Sequence, residues 1–149
     1  MPFTIHEIAD DELPALLCLY AHLHPKDEML PLSEALPTWK LLRQDPNQHL
    51  LGAYWDGTLV STCTLIVIPN LTRGGRPYGL IENVVMHLDY RRRGLGNAVL
   101  KHALAVAWAQ NCYKVMLLTG SRNGETLRFY EKAGFQGGVK TGFVARPGG

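Results

Sequence analysis

This sequence predicts an α/β fold, a mixed sheet flanked by helices, and three observations predict it. Residues 50–55 and 59–68 are apolar, strand-like runs joined by Asp56-Gly57, a dipeptide that accepts the positive φ angles of a two-residue hairpin turn. Residues 80–86 form another apolar run of strand type. That run leads through a glycine-rich junction into residues 95–109, where only Asn97, Lys101 and His102 are strongly polar, as in a largely buried helix. Antiparallel hairpins and a strand-to-long-helix unit in one short chain make a sheet with helices laid on its faces.

The elements follow in order. Residues 3–8 alternate apolar and polar as a strand does, and Asp10-Asp11-Glu12 then places acid at the start of a helix carrying Leu16, Leu17, Leu19, Tyr20 and Leu23. Pro25, Pro31 and Pro37 cut the next stretch into short pieces, with residues 36–43 predicted as a second helix or a turn of helix. After the hairpin, residues 69–77 hold Asn70, Gly74, Gly75 and two arginines and read as an exposed loop, followed by a strand over 78–86. A helix over 94–110 and a strand over 114–118 come next. Ser121 and Asn123 are N-cap residues for a helix ending at Ala133, and Gly134 supplies its left-handed C-terminal residue. The tail, residues 135–146, has enough Val and Phe between its glycines for one or two further strands.

At 149 residues, 46% hydrophobic and 19% charged, the chain suits a single domain, 1–149, with a real core. A formal net charge of +2 is too small to argue for nucleic acid. The basic cluster at Arg91, Arg92 and Arg93 has neither aromatic interleaving nor a second basic cluster, so no nucleic-acid partner is expected. No apolar run approaches the roughly 20 residues that span a bilayer, and no charged-then-apolar leader is visible, so no membrane partner is expected. Cys18, Cys63 and Cys112 lack C-x-x-C spacing and sit among apolar residues, which predicts reduced core thiols and fits a cytoplasmic setting. His22 and His24 are two apart and face different directions on a helix, and no other spacing resembles a metal site, so no metal is expected.

The run Asp89-Tyr90-Arg91-Arg92-Arg93-Gly94-Leu95-Gly96-Asn97-Ala98 predicts an anion cradle. Glycines at a strand-to-helix junction permit a tight turn in which several backbone N–H groups face one ligand at a helix N-terminus. A pyrophosphate suits that arrangement.

Three signals agree in order and spacing: Glu82-Asn83-Val84-Val85-Met86, then Arg91-x-x-Gly94-x-Gly96, then Asn123-x-x-Thr126-x-x-Phe129-Tyr130-Glu131-Lys132-x-Gly134-Phe135. Together they resemble the GNAT superfamily of acyl-CoA N-acyltransferases, over about residues 80–135. The resemblance implies acetyl-CoA as cosubstrate, its pyrophosphate on the backbone of Arg91, Arg92, Arg93, Gly94, Leu95, Gly96, Asn97 and Ala98. It implies a mostly antiparallel central sheet splayed between strand 78–86 and strand 114–118. It also implies transfer of an acetyl group to a primary amine of a small molecule by direct attack on the thioester. A non-catalytic CoA-binding domain of the same fold and a protein or peptide N-acetyltransferase are the alternatives. Within the superfamily, residues 111–115 and 129–135 look like the glucosamine-6-phosphate N-acetyltransferases. Leu118 and Thr119 stand where those enzymes carry an aspartate, and Leu88 replaces their usual proline, so the acceptor stays open. Many relatives pair through terminal strands, which makes a homodimer an expectation.

Acyl transfer to an amine needs a deprotonated amine, polarisation of the thioester carbonyl and a proton for the departing thiolate. Backbone N–H groups of Val84, Val85 and Met86 can polarise the carbonyl where the strand is locally unpaired. Tyr130 has a reference pKa of ~10 against ~8.5 for a thiol, and the resemblance makes it the proton donor. Its residue-level alternative is a core tyrosine packed with Leu127 and Phe129. Glu82, within an apolar strand, is either a base in a cleft or a structural carboxylate paired with Arg73 or Arg76. Asn123 caps its helix, reaches the pantetheine arm as the resemblance implies, or does both. Cys112 has no base beside it beyond Lys114, so a covalent acyl carrier is not expected. Arg73 and Arg76 precede the strand 78–86, and Arg146 stands where the glucosamine-6-phosphate enzymes place a substrate-binding arginine. All three are candidates for holding an anionic group on the acceptor.

Overall fold

The computed structural model describes residues 2–148. In chain order it contains β1 (Phe3–Glu7), α1 (Leu13–Tyr20), α2 (Leu32–Gln44), β2 (Gln48–Trp55), β3 (Thr58–Ile68), β4 (Tyr78–Met86), α3 (Leu95–Ala109), β5 (Val115–Leu117) and α4 (Gly124–Lys132), with single 3-10 turns between some of them. The strands form one sheet in the order β1-β2-β3-β4-β5, antiparallel except for the parallel β4–β5 pair. The β2–β3 turn is the expected one. Asp56 and Gly57 have φ of 47° and 82°, and Trp55 faces Thr58 across it.

Side chains alternate across a strand, so each strand feeds two cores. Leu51, Cys63, Leu65 and Ile81 pack under α3 with Val99, Leu100 and Ala103. Leu50, Tyr54 and Leu59 pack on the other face under α1 and α2, with Leu16, Leu19 and Trp39. Trp39 Nε1 donates to Asp10 Oδ1 at 2.8 Å, and Arg43 Nε donates to the same oxygen at 3.1 Å, which ties α2 to the turn before α1.

Two irregularities in β4 organise the site. Thr62 pairs with Val85 but Thr64 pairs with Glu82, so β4 carries one extra residue there, and Asn83 takes a left-handed φ of 54°. β5 pairs with β4 only over Gly79–Ile81, so from Glu82 onward that edge of β4 has no strand beside it. The sheet therefore opens between β4 and β5.

Several expectations are corrected. α1 ends at Tyr20, and Leu23 lies in the turn that follows, where its N–H bonds the Tyr20 carbonyl at 3.0 Å. α2 begins at Leu32 and contains Pro37 instead of being broken by it. A proline in the second turn loses its own hydrogen bond and crowds the Ser33 carbonyl, and the burial of Ala35 and Trp39 offsets this. Beyond α4 no strand forms among the described residues, against the one or two expected. Gly137, Gly138 and Gly142 interrupt the tail, and Phe143 stands 90% exposed, so the outer edge of β5 is left unjoined.

Candidate functional site

The cradle is built by two left-handed residues. A 3-10 turn, Leu88–Tyr90, ends β4's exit, Arg92 turns at φ 65°, and Gly94 turns at φ 78° to form the N-cap of α3. Among the described residues, no protein acceptor takes the backbone N–H groups from Arg91 to Asn97; the first bond of α3 is Ala98 N–H to the Gly94 carbonyl at 3.0 Å. Unspent amides at the positive end of a 15-residue helix are donors of the kind an anion needs. A Cβ on Gly94 would meet nothing within 4 Å, so the mouth is open. The Nδ2 of Asn97, inside the first turn, is buried without a partner.

The three arginines divide. Arg91 and Arg92 are exposed and make no ion pair among the described residues. Arg93 is held elsewhere: its guanidinium lies 4.8 Å from the Trp55 ring centroid and 4.9 Å from that of Tyr90, clamping the loop to the end of β2 by cation–π attraction. Trp55 is a residue that sequence reasoning missed, because nothing in linear spacing links the end of β2 to the loop after β4.

Gly96 has a different reason from close approach to phosphate. A Cβ there would stand 2.9 Å from the Phe129 ring and 3.0 Å from Met86 Cε, so α3 presses against α4 and β4 at this point. Gly96 is the contact that sets their spacing.

The edge of β4 presents N–H groups to the opening. His87 N–H bonds the Val60 carbonyl at 2.8 Å, which fixes the alternation: Val85 turns to β3, and Val84 and Met86 turn to the unpaired side. Val85 is therefore a correction among the three expected donors. Its carbonyl also accepts from the Ser61 hydroxyl at 3.0 Å.

Glu82 and Tyr130 lie on opposite faces of the sheet. Glu82 pairs in register with Thr64, on the α1 side, and is exposed. The expected alternative, a buried carboxylate paired with Arg73 or Arg76, does not occur: the opening of the sheet leaves Glu82 in solvent, and no ion pair to it is present among the described residues. Tyr130, on α4, packs against the α3-side core, its ring 5.1 Å from Phe129 and 6.4 Å from Phe135. Between the two faces lies the β4 bulge, with buried Cys63 opposite it. A second residue missed by sequence reasoning is Tyr20, at the end of α1, whose phenol faces the Thr64 hydroxyl beside Glu82.

Burial raises the Tyr130 phenol above its ordinary value, and nearby Cys63 adds to the rise. Tyr20 is raised by burial against the opposing Thr64 hydrogen bond, with Cys63 adding a smaller increment. Burial pushes the Cys63 thiol from 9.0 up to about 12. Each group holds its proton more tightly folded than unfolded, and for Cys63 the contribution is intact below pH 9.0 and lost as pH rises toward about 12. The urea midpoint is expected to fall between about pH 8 and about pH 10.5, with a shallower fall in Cys63→Ala. Equal slopes in the two proteins would remove Cys63 from the alkaline transition.

Asn123 does cap α4: its Oδ1 accepts from Glu125 N–H at 2.8 Å, and its own N–H donates to Ser121 Oγ at 3.2 Å. Arg76 donates to the Asn111 carbonyl and to the Cys112 carbonyl, each at 3.3 Å, so it caps the C-terminal end of α3. Arg73 stacks on Tyr113, 5.5 Å from its centroid. These engagements occupy two of the three arginines expected to hold an anionic group on the acceptor. Arg146 is exposed in the tail. Cys18, expected in the core, is exposed on α1, whereas Cys63 and Cys112 are buried. Among the described residues no cluster of His, Cys, Asp and Glu could hold a metal, and no helix is long and apolar enough to cross a membrane.

The sequence pattern of the acetyltransferase (GNAT) family matches residues 5–135. A glucosamine 6-phosphate N-acetyltransferase of Trypanosoma brucei brucei is 40% identical over 80 residues, 54% of this chain and 52% of that protein. The glucosamine 6-phosphate N-acetyltransferase of Schizosaccharomyces pombe is 33% identical over 76 residues, 51% of this chain and 66% of that protein. The chain thus spans about half to two thirds of the length of the curated relatives it matches. A solved protein of Agrobacterium tumefaciens str. C58, assigned to the acetyltransferases by name alone, superposes with a TM-score of 0.92 at 42% identity, over 96% of this chain and 99% of that one. From its cradle and opened sheet to these likenesses, the chain belongs to the acetyltransferase (GNAT) family.

Proposed function

We propose that the chain transfers an acetyl group from acetyl-CoA to a primary amine of a small molecule, by direct attack and without an acyl-enzyme. The observation that carries this reading is the meeting of two unspent backbone surfaces: the unpaired edge of β4 and the free amides at the start of α3. Acetyl-CoA needs both, one for a thioester carbonyl and one for a pyrophosphate. Family membership and the names of the relatives support the same chemistry.

In this reading the amides of residues 91–98, with Arg91 and Arg92, hold the pyrophosphate. Glu82 takes the proton from the acceptor ammonium, and the freed lone pair attacks the thioester carbon from the α1 face. The N–H groups of Val84 and Met86 hold the oxygen as it becomes negative. Tyr130 gives its proton to the sulfur as the C–S bond breaks on the opposite side; the acylated nitrogen loses its second proton to water, and water returns one to the Tyr130 phenolate, while buried Cys63 stays a neutral thiol. Asn123 keeps its Nδ2 available to the pantetheine amides while Oδ1 caps α4. An anionic acceptor finds less support than it did from sequence, since of Arg73, Arg76 and Arg146 only the last is unengaged.

The test is acceptor-dependent release of CoA thiol across a panel of amines, run beside calorimetry with CoA alone. Thiol release that appears only with an amine present is the expected result. CoA binding with no release for any amine would make the chain a binding domain and sink the proposal.

A further inference from the structure

Between α1 and α2 lies a cavity of about 270 Å³, walled mainly by Leu16, Leu17, Trp39, Leu42, Leu50 and the ring of Tyr20. Resting on the acetyl-transfer reading above, we propose that this cavity seats an apolar or aromatic group on the acceptor, whose amine reaches Glu82.

The sheet supplies the ruler. Leu50, on the cavity floor, pairs with Thr64, and Thr64 pairs with Glu82, so the three form one row across β2, β3 and β4 on the same face. Strands are about 4.8 Å apart, which puts Glu82 about 10 Å from the cavity floor along that row. Tyr20 joins the two ends: its ring lines the cavity and its phenol faces Thr64. A ligand lying along this row is apolar at one end and an ammonium at the other, with an alkyl spacer of a few carbons.

Volume and charge agree with that ligand. A dry apolar cavity of about 150 Å³ accepts benzene, so this larger one holds a phenyl ring with part of its chain. No lysine or arginine is among the described residues lining it, while Asp27 and Glu28 stand on its rim. Those carboxylates, with Glu82 beyond, attract a cationic amine and repel a sugar phosphate. Against those carboxylates the lining sets the imidazole of His24 and the hydroxyl of Thr38.

The probes are 4-phenylbutylamine, ethylamine and glucosamine 6-phosphate, each measured for kcat/KM with acetyl-CoA and for direct binding by calorimetry in the presence of CoA. 4-Phenylbutylamine is expected to exceed ethylamine in kcat/KM by about 10- to 200-fold, the range for apolar groups filling a hydrophobic pocket. Ala35→Leu, which fills the cavity from α2, is expected to remove at least about tenfold of that ratio while ethylamine turnover stays unchanged. Ala21→Trp does the same from the exposed rim and keeps the test available if the buried substitution fails to fold. Binding of 4-phenylbutylamine that Ala21→Trp weakens, without any acetyl transfer, upholds the cavity and refutes the acetyl-transfer reading. Acetyl transfer with equal kcat/KM for the two amines, or with preference for glucosamine 6-phosphate in wild type and variants alike, overturns the cavity proposal and leaves acetyl transfer standing. No binding of 4-phenylbutylamine also overturns it.

Discussion

Tyr130→Phe is expected to fold normally, bind acetyl-CoA as the wild type does, and lose about 10²- to 10⁴-fold in kcat, the usual worth of one general acid. The geometry separates ring from hydroxyl. The ring packs edge-on against Phe129 and Phe135, contacts that phenylalanine keeps, and the hydroxyl makes no hydrogen bond within the described protein. Stability therefore changes little. Because burial raises the phenol above its ordinary value, it remains protonated throughout the neutral range and is poised as a donor. The decisive measurement is single-turnover acetyl transfer, which removes product release from the rate. An unchanged single-turnover rate in Tyr130→Phe would assign the proton to another group.

The second large effect is on the fold. Gly96→Val is expected to cost about 1–3 kcal/mol of stability, the range for forcing extra carbon into a packed contact. Thermal unfolding should fall by about 2–12 °C for a chain of this size. The new side chain would enter where the Phe129 ring and Met86 Cε already leave 2.9 Å and 3.0 Å to a bare Cβ. Neither neighbour can swing away freely: Phe129 is pinned against Tyr130, and Met86 lies at the end of β4. Acetyl-CoA affinity should fall with it, because α3 would back away from β4 and carry the cradle along. Differential scanning calorimetry with and without acetyl-CoA separates the two losses. A Gly96→Val protein that melts with the wild type but no longer binds would show that the glycine serves the phosphates directly.

Legibility from sequence followed the range of the signal. The hairpin was readable because Asp56-Gly57 carries its own backbone demand, and α3 and α4 because caps and apolar periods lie within each helix. The tight turn into α3 was readable for the same reason: its two glycines sit in one short run. Glu82 kept two readings because apolar neighbours along a strand imply burial only if a further strand covers them, and that depends on where β5 stops. Arg73, Arg76 and Arg93 were equally opaque. Their partners, Tyr113, the Asn111 and Cys112 carbonyls, and Trp55, lie dozens of residues away in the chain. The tail was overread because Val and Phe favour a strand only in an unbroken run, and here Gly137, Gly138 and Gly142 interrupt them beside the open edge of β5.

The extra residue in β4 sets turnover against durability. Without Asn83, Glu82 would be followed by a regular ladder with β3, free of a left-handed asparagine that costs of order 1 kcal/mol. The side chains and amides beyond it would exchange sides, and the edge facing the opening would present a different set of donors. Loss of one codon would thus mend the sheet and silence the site in a single event. Keeping the kink is a standing loss of stability, one a fold can carry so long as it stays above the threshold it needs.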